Sequence, residues 1–303
     1  MLKIGTRGSK LALAQARETA SRLAAAGFAG GIETIIIRTS GDAITDRALS
    51  DAGGKGLFAK EIEEALIDGR IDVAVHSLKD LPAIMPRLLV LGAVLPREDA
   101  RDALIGVPRF AAMQKGGRLG TSSPRRRAQA LAERPDLDIV LFRGNVDTRL
   151  AKLAAGEVDA TMLAMAGLNR LGIDAGASPL DPEKFVPAAC QGAIGLQIRA
   201  DDARMQALVA RVDDAPSAIA IAAERGFLEG IGGSCKTPLA AHARFTDGGF
   251  RIMAALFAPD GSHVVRGVRV VVPSPTLAEA QAMGRDLADE LLADAPPEFL
   301  AVL

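Results

Sequence analysis

Tryptophan and tyrosine are absent from this 303-residue chain, and ten phenylalanines supply all of its aromatic rings. Platforms on which unpaired bases stack are therefore scarce, which argues against single-strand nucleic-acid binding. An excess of charge of one sign is missing too: 36 Lys and Arg stand against 37 Asp and Glu, for a net charge of -1. No whole-molecule field for DNA follows from that balance, and any basic cluster is a local feature. Two cysteines, Cys190 and Cys235, are too few for a disulfide framework and suit a reducing compartment. Three histidines offer little for a metal site. No apolar run approaches the length of a membrane span. Leu11-Ala12-Leu13-Ala14 is too short, and too soon followed by Gln15, Arg17 and Glu18, to be a signal segment. The expectation is a cytoplasmic protein without a nucleic-acid or membrane partner. Walker loops and the G-x-G-x-x-G, H-E-x-x-H and C-x-x-C patterns are absent as well.

What is present is a globular chain, 49% hydrophobic and 24% charged, of a length that suggests two or three domains. Residues 2–6 read as a strand. Ser9 then N-caps an Ala/Leu-rich helix to about Ala26, and Glu33 to Arg38 reads as a buried strand. The glycine-rich stretch from Thr39 to Gly56 is long for a connector and reads as a lid or binding loop, with Lys55 in it. A helix over Phe58–Asp68 and strands over 71–76 and 88–95 complete an α/β unit with a largely parallel sheet. Pro96 to Asp102 is a charged crossing into a second α/β unit. The segment from Phe185 to Arg199 begins extended and returns to the first unit to add a strand. Beyond it a helix over 215–229, three strands and a final helix over 276–294 make an α+β unit with an antiparallel sheet. The domains are thus 1–95 with 193–212, 96–192, and 213–303.

Both α/β units open alike: Gly5-Thr6-Arg7-Gly8-Ser9 and Gly120-Thr121-Ser122-Ser123 each join a strand end to a helix start. Free backbone N–H groups and the helix dipole make such turns anion sites. Arginines gather at element ends: Arg7, the run Arg125-Arg126-Arg127, Arg143 at a strand end, Arg149 and Arg170. Guanidinium groups grip carboxylates in two-pronged fashion, so an arginine-lined cleft in a nearly neutral protein points to a small polyanion. His76-Ser77-Leu78-Lys79-Asp80 follows a strand, where ligand groups gather in open α/β sheets. Asp80 there suits proton transfer or the facing of a developing cation, although a surface Lys-Asp turn explains the pair equally well. Leu228 to Pro238 presents Cys235 among Gly230, Gly232 and Gly233, beside Lys236. A cation next door favours the thiolate, as an attachment point or nucleophile requires; a glycine turn packing a small thiol is the plainer account of the loop alone.

Taken together and in order, these pieces resemble the hydroxymethylbilane synthase, or porphobilinogen deaminase, family. The resemblance rests on Gly5 to Ser9, Gly53-Gly54-Lys55-Gly56-Leu57-Phe58, His76 to Asp80, Arg97-Glu98-Asp99, Gly120 to Ser123, Arg143-Gly144-Asn145-Val146, Gln191-Gly192-Ala193 and the Cys235 loop. It implies two α/β domains similar to periplasmic binding proteins with a cleft between them, plus a smaller α+β domain. It implies the head-to-tail joining of four porphobilinogen molecules into hydroxymethylbilane with loss of ammonia, on a dipyrromethane cofactor held through a thioether by Cys235. By matching position, Asp80 is the catalytic residue. Ser77, Lys79, Asp80 itself, Thr121, Ser123, Arg125, Arg126, Asn145, Gln191 and Gly192 surround the cofactor. Arg7, Ser9, Arg143, Arg149, Arg170 and Lys55 meet the substrate. The resemblance also implies a monomer. Cys190 stands where relatives usually have glycine. The competing reading is a non-catalytic two-domain receptor for an acidic small molecule, against which the Cys235 loop and the missing signal segment count.

Overall fold

The computed structural model describes residues 1–43, 56–232 and 238–300. In chain order the first unit comprises β1 (Leu2–Thr6), α1 (Lys10–Ala25), β2 (Ile32–Ile36), α2 (Ser40–Ala43), α3 (Lys60–Ile67), β3 (Val73–Ser77) and β4 (Leu89–Val94). The second holds β5 (Asp102–Ile105), β6 (Arg118–Gly120), α4 (Pro124–Glu133), β7 (Asp138–Val140), α5 (Val146–Ala154), β8 (Ala160–Ala164), α6 (Met165–Leu171) and β9 (Ser178–Pro179). There follow β10 (Ile194–Arg199), α7 (Ala203–Val209), α8 (Ala215–Ile231), β11 (Leu239–Thr246), β12 (Gly249–Phe257), β13 (Val264–Val271), α9 (Leu277–Asp294) and α10 (Pro297–Leu300).

Two five-stranded sheets share one plan. The first runs β2-β1-β3-β10-β4 and the second β7-β6-β8-β5-β9. In the first, β1 is parallel to β2 and β3 while β10 is antiparallel to β3 and β4. In the second, β6 is parallel to β7 and β8 while β5 is antiparallel to β8 and β9. Each sheet thus takes its one antiparallel strand from chain that has just crossed from the other unit. The sheets are mixed rather than largely parallel, because the chain passes between them twice and each passage delivers a reversed strand. The return predicted for residues 185–199 is β10. The strand expected to be buried around Ile35 is instead the edge strand β2, and Ile36 is 57% exposed. A third, antiparallel sheet, β11-β12-β13, packs on α8 and α9.

The two crossings, residues 95–101 and 186–193, lie side by side. The Glu98 N–H donates to the Gly192 carbonyl at 3.2 Å. Gly192 has φ +89°, and a Cβ there would stand 2.3 Å from the Glu98 oxygen, so both conformation and space require glycine. The nearby Cys190 adopts φ 63°, a left-handed conformation that a non-glycine residue seldom takes.

The third unit clamps this hinge through one buried ion pair. Arg97 donates through Nε to the Gln191 carbonyl at 2.8 Å and pairs with Glu224 of α8 at 2.6 Å. Glu224 is fully buried and also accepts from the backbone N–H groups of Cys190 and Ala243. Removing Arg97 leaves that carboxylate buried without its cation, which costs about 3–5 kcal/mol. Arg97→Ala is expected to unfold at correspondingly lower denaturant; a transition midpoint equal to the parent's would show that the pair does not hold the hinge.

Candidate active site

The cleft lies where the carboxyl ends of β1 and β3 face the second sheet. β1 ends at Thr6, and Arg7 and Ser9 follow at the start of α1, where Ser9 Oγ accepts from the Ala12 N–H at 3.2 Å. β3 ends at Ser77, and a single 3-10 turn, Leu78–Asp80, throws Lys79 and Asp80 past the sheet edge. Arg7, Ser9, Phe58, Ser77, Lys79 and Asp80 line one small cleft. The Arg7 guanidinium lies 4.0 Å over the Phe58 ring and 3.8 Å from Asp80, and its Nε donates to Asp42 at 3.1 Å. Burial works against ionisation of Asp42, but Arg7 and the Thr39 hydroxyl hold it below its ordinary value. Gln15 of α1 fixes the end of β3 by donating to Ser77 Oγ at 2.8 Å. His76 is buried, bonded to Gln197 at 3.0 Å, and pushed down to about 4 by burial, so it is a neutral packing residue at pH 7.

Lys79 reaches toward the hinge, with Nζ donating to Gln191 Oε1 at 3.2 Å. The protein around it lowers its pKa to about 8, chiefly by displacing solvent, with Asp80 opposing. The side chain remains exposed at the cleft, and water there limits that depression.

The second wall is built from helix starts. Thr121 Oγ1 accepts from the Ser123 N–H at 3.2 Å, and Ser123 N-caps α4 by accepting from the Arg126 N–H at 3.4 Å. Asn145 N-caps α5, accepting from the Thr148 N–H at 2.9 Å. The two walls meet at the rim, where Lys10 of α1 and Asp147 of α5 pair at 2.9 Å. Arg149 donates to the Gly144 carbonyl at 2.9 Å and is pushed down to about 10, first by burial and then by the neighbouring cations Arg126 and Arg143. Arg126, Arg143 and Arg149 thus lie near enough to act on one another, and Arg126 among them is compensated by Asp102.

Three expected residues play fuller structural parts than their sequence positions suggest. Arg125 and Arg126 are 5% and 6% exposed, and both pair with Asp102 at 2.7 Å. The cations at this helix start are offset by a carboxylate on β5 as well as by any ligand. Arg170 is 8% exposed at its side chain and ties α6 to Glu18 of α1 at 3.1 Å and to the Gly192 carbonyl at 3.0 Å. Asp102, Asp42 and Gln15 were not singled out from the sequence. For Asp102 a signal was available: one acidic residue heading the apolar run Ala103-Leu104-Ile105. Cys235 and Lys55 lie outside the described residues. Cys190 is fully buried, and its thiol is pushed up to about 12 by burial and by Glu224, which disqualifies it as an attachment point.

Among the described residues no helix is long and apolar enough to cross a membrane. A periplasmic substrate-binding protein of an ABC transporter from Coxiella burnetii aligns over 72% of this chain and 93% of its own, with 18% identity and a TM-score of 0.41. The family model described as "Porphobilinogen deaminase, dipyromethane cofactor binding domain" matches residues 2–207, and "Porphobilinogen deaminase, C-terminal domain" matches residues 218–293. A porphobilinogen deaminase of Paracoccus denitrificans is 49% identical over 98% of this chain and 96% of its own length. One from Nitratidesulfovibrio vulgaris is 47% identical over 99% and 96%. With both parts of the family model matched in order and the relatives aligned end to end, the chain belongs to the porphobilinogen deaminase family.

Proposed function

We propose that this cleft joins four porphobilinogen molecules head to tail and, with one water supplying the terminal hydroxyl, forms hydroxymethylbilane and releases four ammonia, as a transferase of tetrapyrrole biosynthesis. The observation that carries the reading is Asp80 at the end of β3, in one cleft with Arg7 and Lys79, in a chain whose second unit brings Arg126, Arg143 and Arg149 into one cluster. Porphobilinogen is a pyrrole with an acetate, a propionate and an aminomethyl group. The cluster suits its carboxylates, and Asp80 suits its reacting carbon.

The residues also fit a dipyrromethane, whose rings carry the same acetates and propionates. Arg125, Arg126 and Lys79 would hold its carboxylates, with Ser77, Thr121, Ser123, Asn145, Gln191 and Gly192 around it and Cys235 as the attachment. When bound, that group supplies the free pyrrole α-carbon from which the chain grows. Arg143, Arg149, Arg7 and Ser9 then hold incoming substrate, with Lys55 from the segment after α2. Arg170 acts from the hinge. Asp80 as the carboxylic acid passes its proton to the aminomethyl nitrogen and, now a carboxylate, accepts a hydrogen bond from the substrate pyrrole N–H. The C–N bond breaks with its electron pair departing on ammonia, and the carboxylate faces the cation that remains on the pyrrole. A fixed carboxylate at a shielded cationic centre is where preorganised charge lowers a barrier most. Arginines clustered on the other wall serve a product that gains carboxylates with each addition.

In this reading residues 1–95 with 193–212 form the domain that carries Asp80. Residues 96–192 form the domain that carries the arginines, and 213–303 the domain that carries Cys235. The protein acts as a monomer in the cytoplasm; the scarcity of cysteine supports that compartment. The test is ammonia release from porphobilinogen by the purified protein. One ammonia per porphobilinogen consumed, with a linear tetrapyrrole in the product mass spectrum, is the expected result. Saturable binding of porphobilinogen with no ammonia released would favour the receptor reading instead.

A further inference from the structure

One buried carboxylate stands among the cleft cations without facing the cleft. Asp102, at the start of β5, is 0% exposed. Burial works against its charge, but Arg125 and Arg126 hold it well below the usual carboxylate range. Its Oδ1 accepts from Arg126 Nε at 2.9 Å and Nη2 at 2.7 Å, and from Gln191 Nε2 at 3.1 Å. Its Oδ2 faces Arg125 Nη1 at 2.7 Å, an ion pair poorly aligned for a hydrogen bond.

Gln191 is 1% exposed, and the same Nε2 also donates to the Ala100 carbonyl at 2.8 Å. Both amide hydrogens are therefore used on the second-sheet side, and Oε1 is left to accept from Lys79 Nζ. A flipped amide would set its NH2 against an ammonium and its oxygen against a carboxylate and a carbonyl, which the donor and acceptor inventory forbids. The Arg97 bond to the Gln191 carbonyl holds the backbone at the same point. A continuous path of hydrogen bonds thus runs from β5 of one sheet, through a neutral amide on the hinge, to the turn after β3 of the other.

We propose that Asp102 is a positioning residue for Lys79: by fixing the Gln191 carboxamide it sets where the Lys79 ammonium sits in the cleft. The inference rests on the reading of Lys79 as a group that meets pyrrole carboxylates. The charged groups facing Lys79 are Asp80 on its own turn, Arg125 and Arg126 on α4, and Asp102 on β5. Neutralising Asp102 leaves two guanidinium groups uncompensated near the ammonium and removes the acceptor that orients Gln191. Lys79 then loses both its anchor and part of its proton affinity.

The test follows the Lys79 side chain itself. In whole protein carrying 13C-labelled lysine, its Cε resonance is assigned by its disappearance in Lys79→Met and followed against pH. Asp102→Asn is expected to lower the titration midpoint by about one pH unit. Gln191→Met, which leaves the Asp102 ion pairs in place, is expected to move it in the same direction; it decides the matter alone if Asp102→Asn does not fold. Parent midpoints in every folded variant would overturn the proposal. Turnover supplies the second arm. Asp102→Asn should lose about tenfold in kcat/KM for porphobilinogen in the parent and nearly nothing when Lys79 is already Met, since coupled residues are not additive. Equal losses in both backgrounds would mean that Asp102 acts through the arginines alone, and would overturn it. Normal turnover of Lys79→Met would instead remove Lys79 from the functional reading, while the resonance would still judge the positioning.

Discussion

Asp80→Asn is expected to bind porphobilinogen about as well as the parent and to turn it over 10²- to 10⁴-fold more slowly, roughly the contribution of a positioned acid–base group. Asparagine keeps the shape of the side chain, so the turn after β3 and the approach of Arg7 have no steric reason to change. It removes the proton carrier and the negative charge together. In the proposed reading substrate carboxylates are held chiefly by Arg143 and Arg149 on the other wall, and only Arg7 among the substrate-holding residues lies near Asp80, at 3.8 Å, which is why affinity and turnover should separate. Rates of ammonia release and a direct binding isotherm on the same preparation make the comparison. Turnover within about tenfold of the parent would remove Asp80 from the chemistry. A parallel fall in affinity and rate would make it a binding residue only.

Cys235→Ser should carry no covalent pyrrole and show no turnover above background. A thiol ionises near pH 8.5 and less where a cation is close, whereas a serine hydroxyl forms no appreciable anion near neutrality, so the variant lacks the nucleophile that makes a thioether. Intact mass is the measurement. The parent is expected to exceed its sequence mass by two deaminated porphobilinogen units, and the variant to match its sequence mass. A parent at the bare mass that gains nothing on incubation with porphobilinogen would refute the attachment. So would a variant that keeps the excess. Cys190 does not confuse the result, because its thiol is buried and pushed up to about 12.

The sequence made the sites at element ends easier to find than the groups behind them. Strand, small polar turn and helix start recur at Thr6 to Ser9 and at Gly120 to Ser123, and each turn does join a strand end to a capped helix start, because strand ends and helix caps leave chemical marks in the residues themselves. The return of β10 was visible as an extended stretch after Pro187. The strand β5 was not: its first residue belongs to the charged run Arg97 to Asp102, and charge density masks a short apolar strand. That same run hid Asp102, whose neutralisation by Arg125 and Arg126 is a contact between residues more than twenty positions apart and leaves no local periodicity. The run Ile35-Ile36-Ile37 misled in the other direction. Three β-branched residues specify a strand without specifying its neighbours, and β2 lies at the sheet edge. Arg170 shows the remaining limit. A helix-end arginine looks the same in sequence whether it meets a ligand or ties two units together.

The left-handed conformation at Cys190 has a practical outcome for anyone assaying this protein. Its backbone turns the thiol into the core, out of reach of water-soluble alkylating and disulfide reagents, and the chain has only one other sulfhydryl, at position 235. Any sulfhydryl that reacts in the native state is therefore expected to report position 235, and under the proposed attachment a loaded chain has none to give. A colorimetric count of reactive sulfhydryls per chain, run without denaturant, is then expected to track what fraction of a preparation is apoprotein.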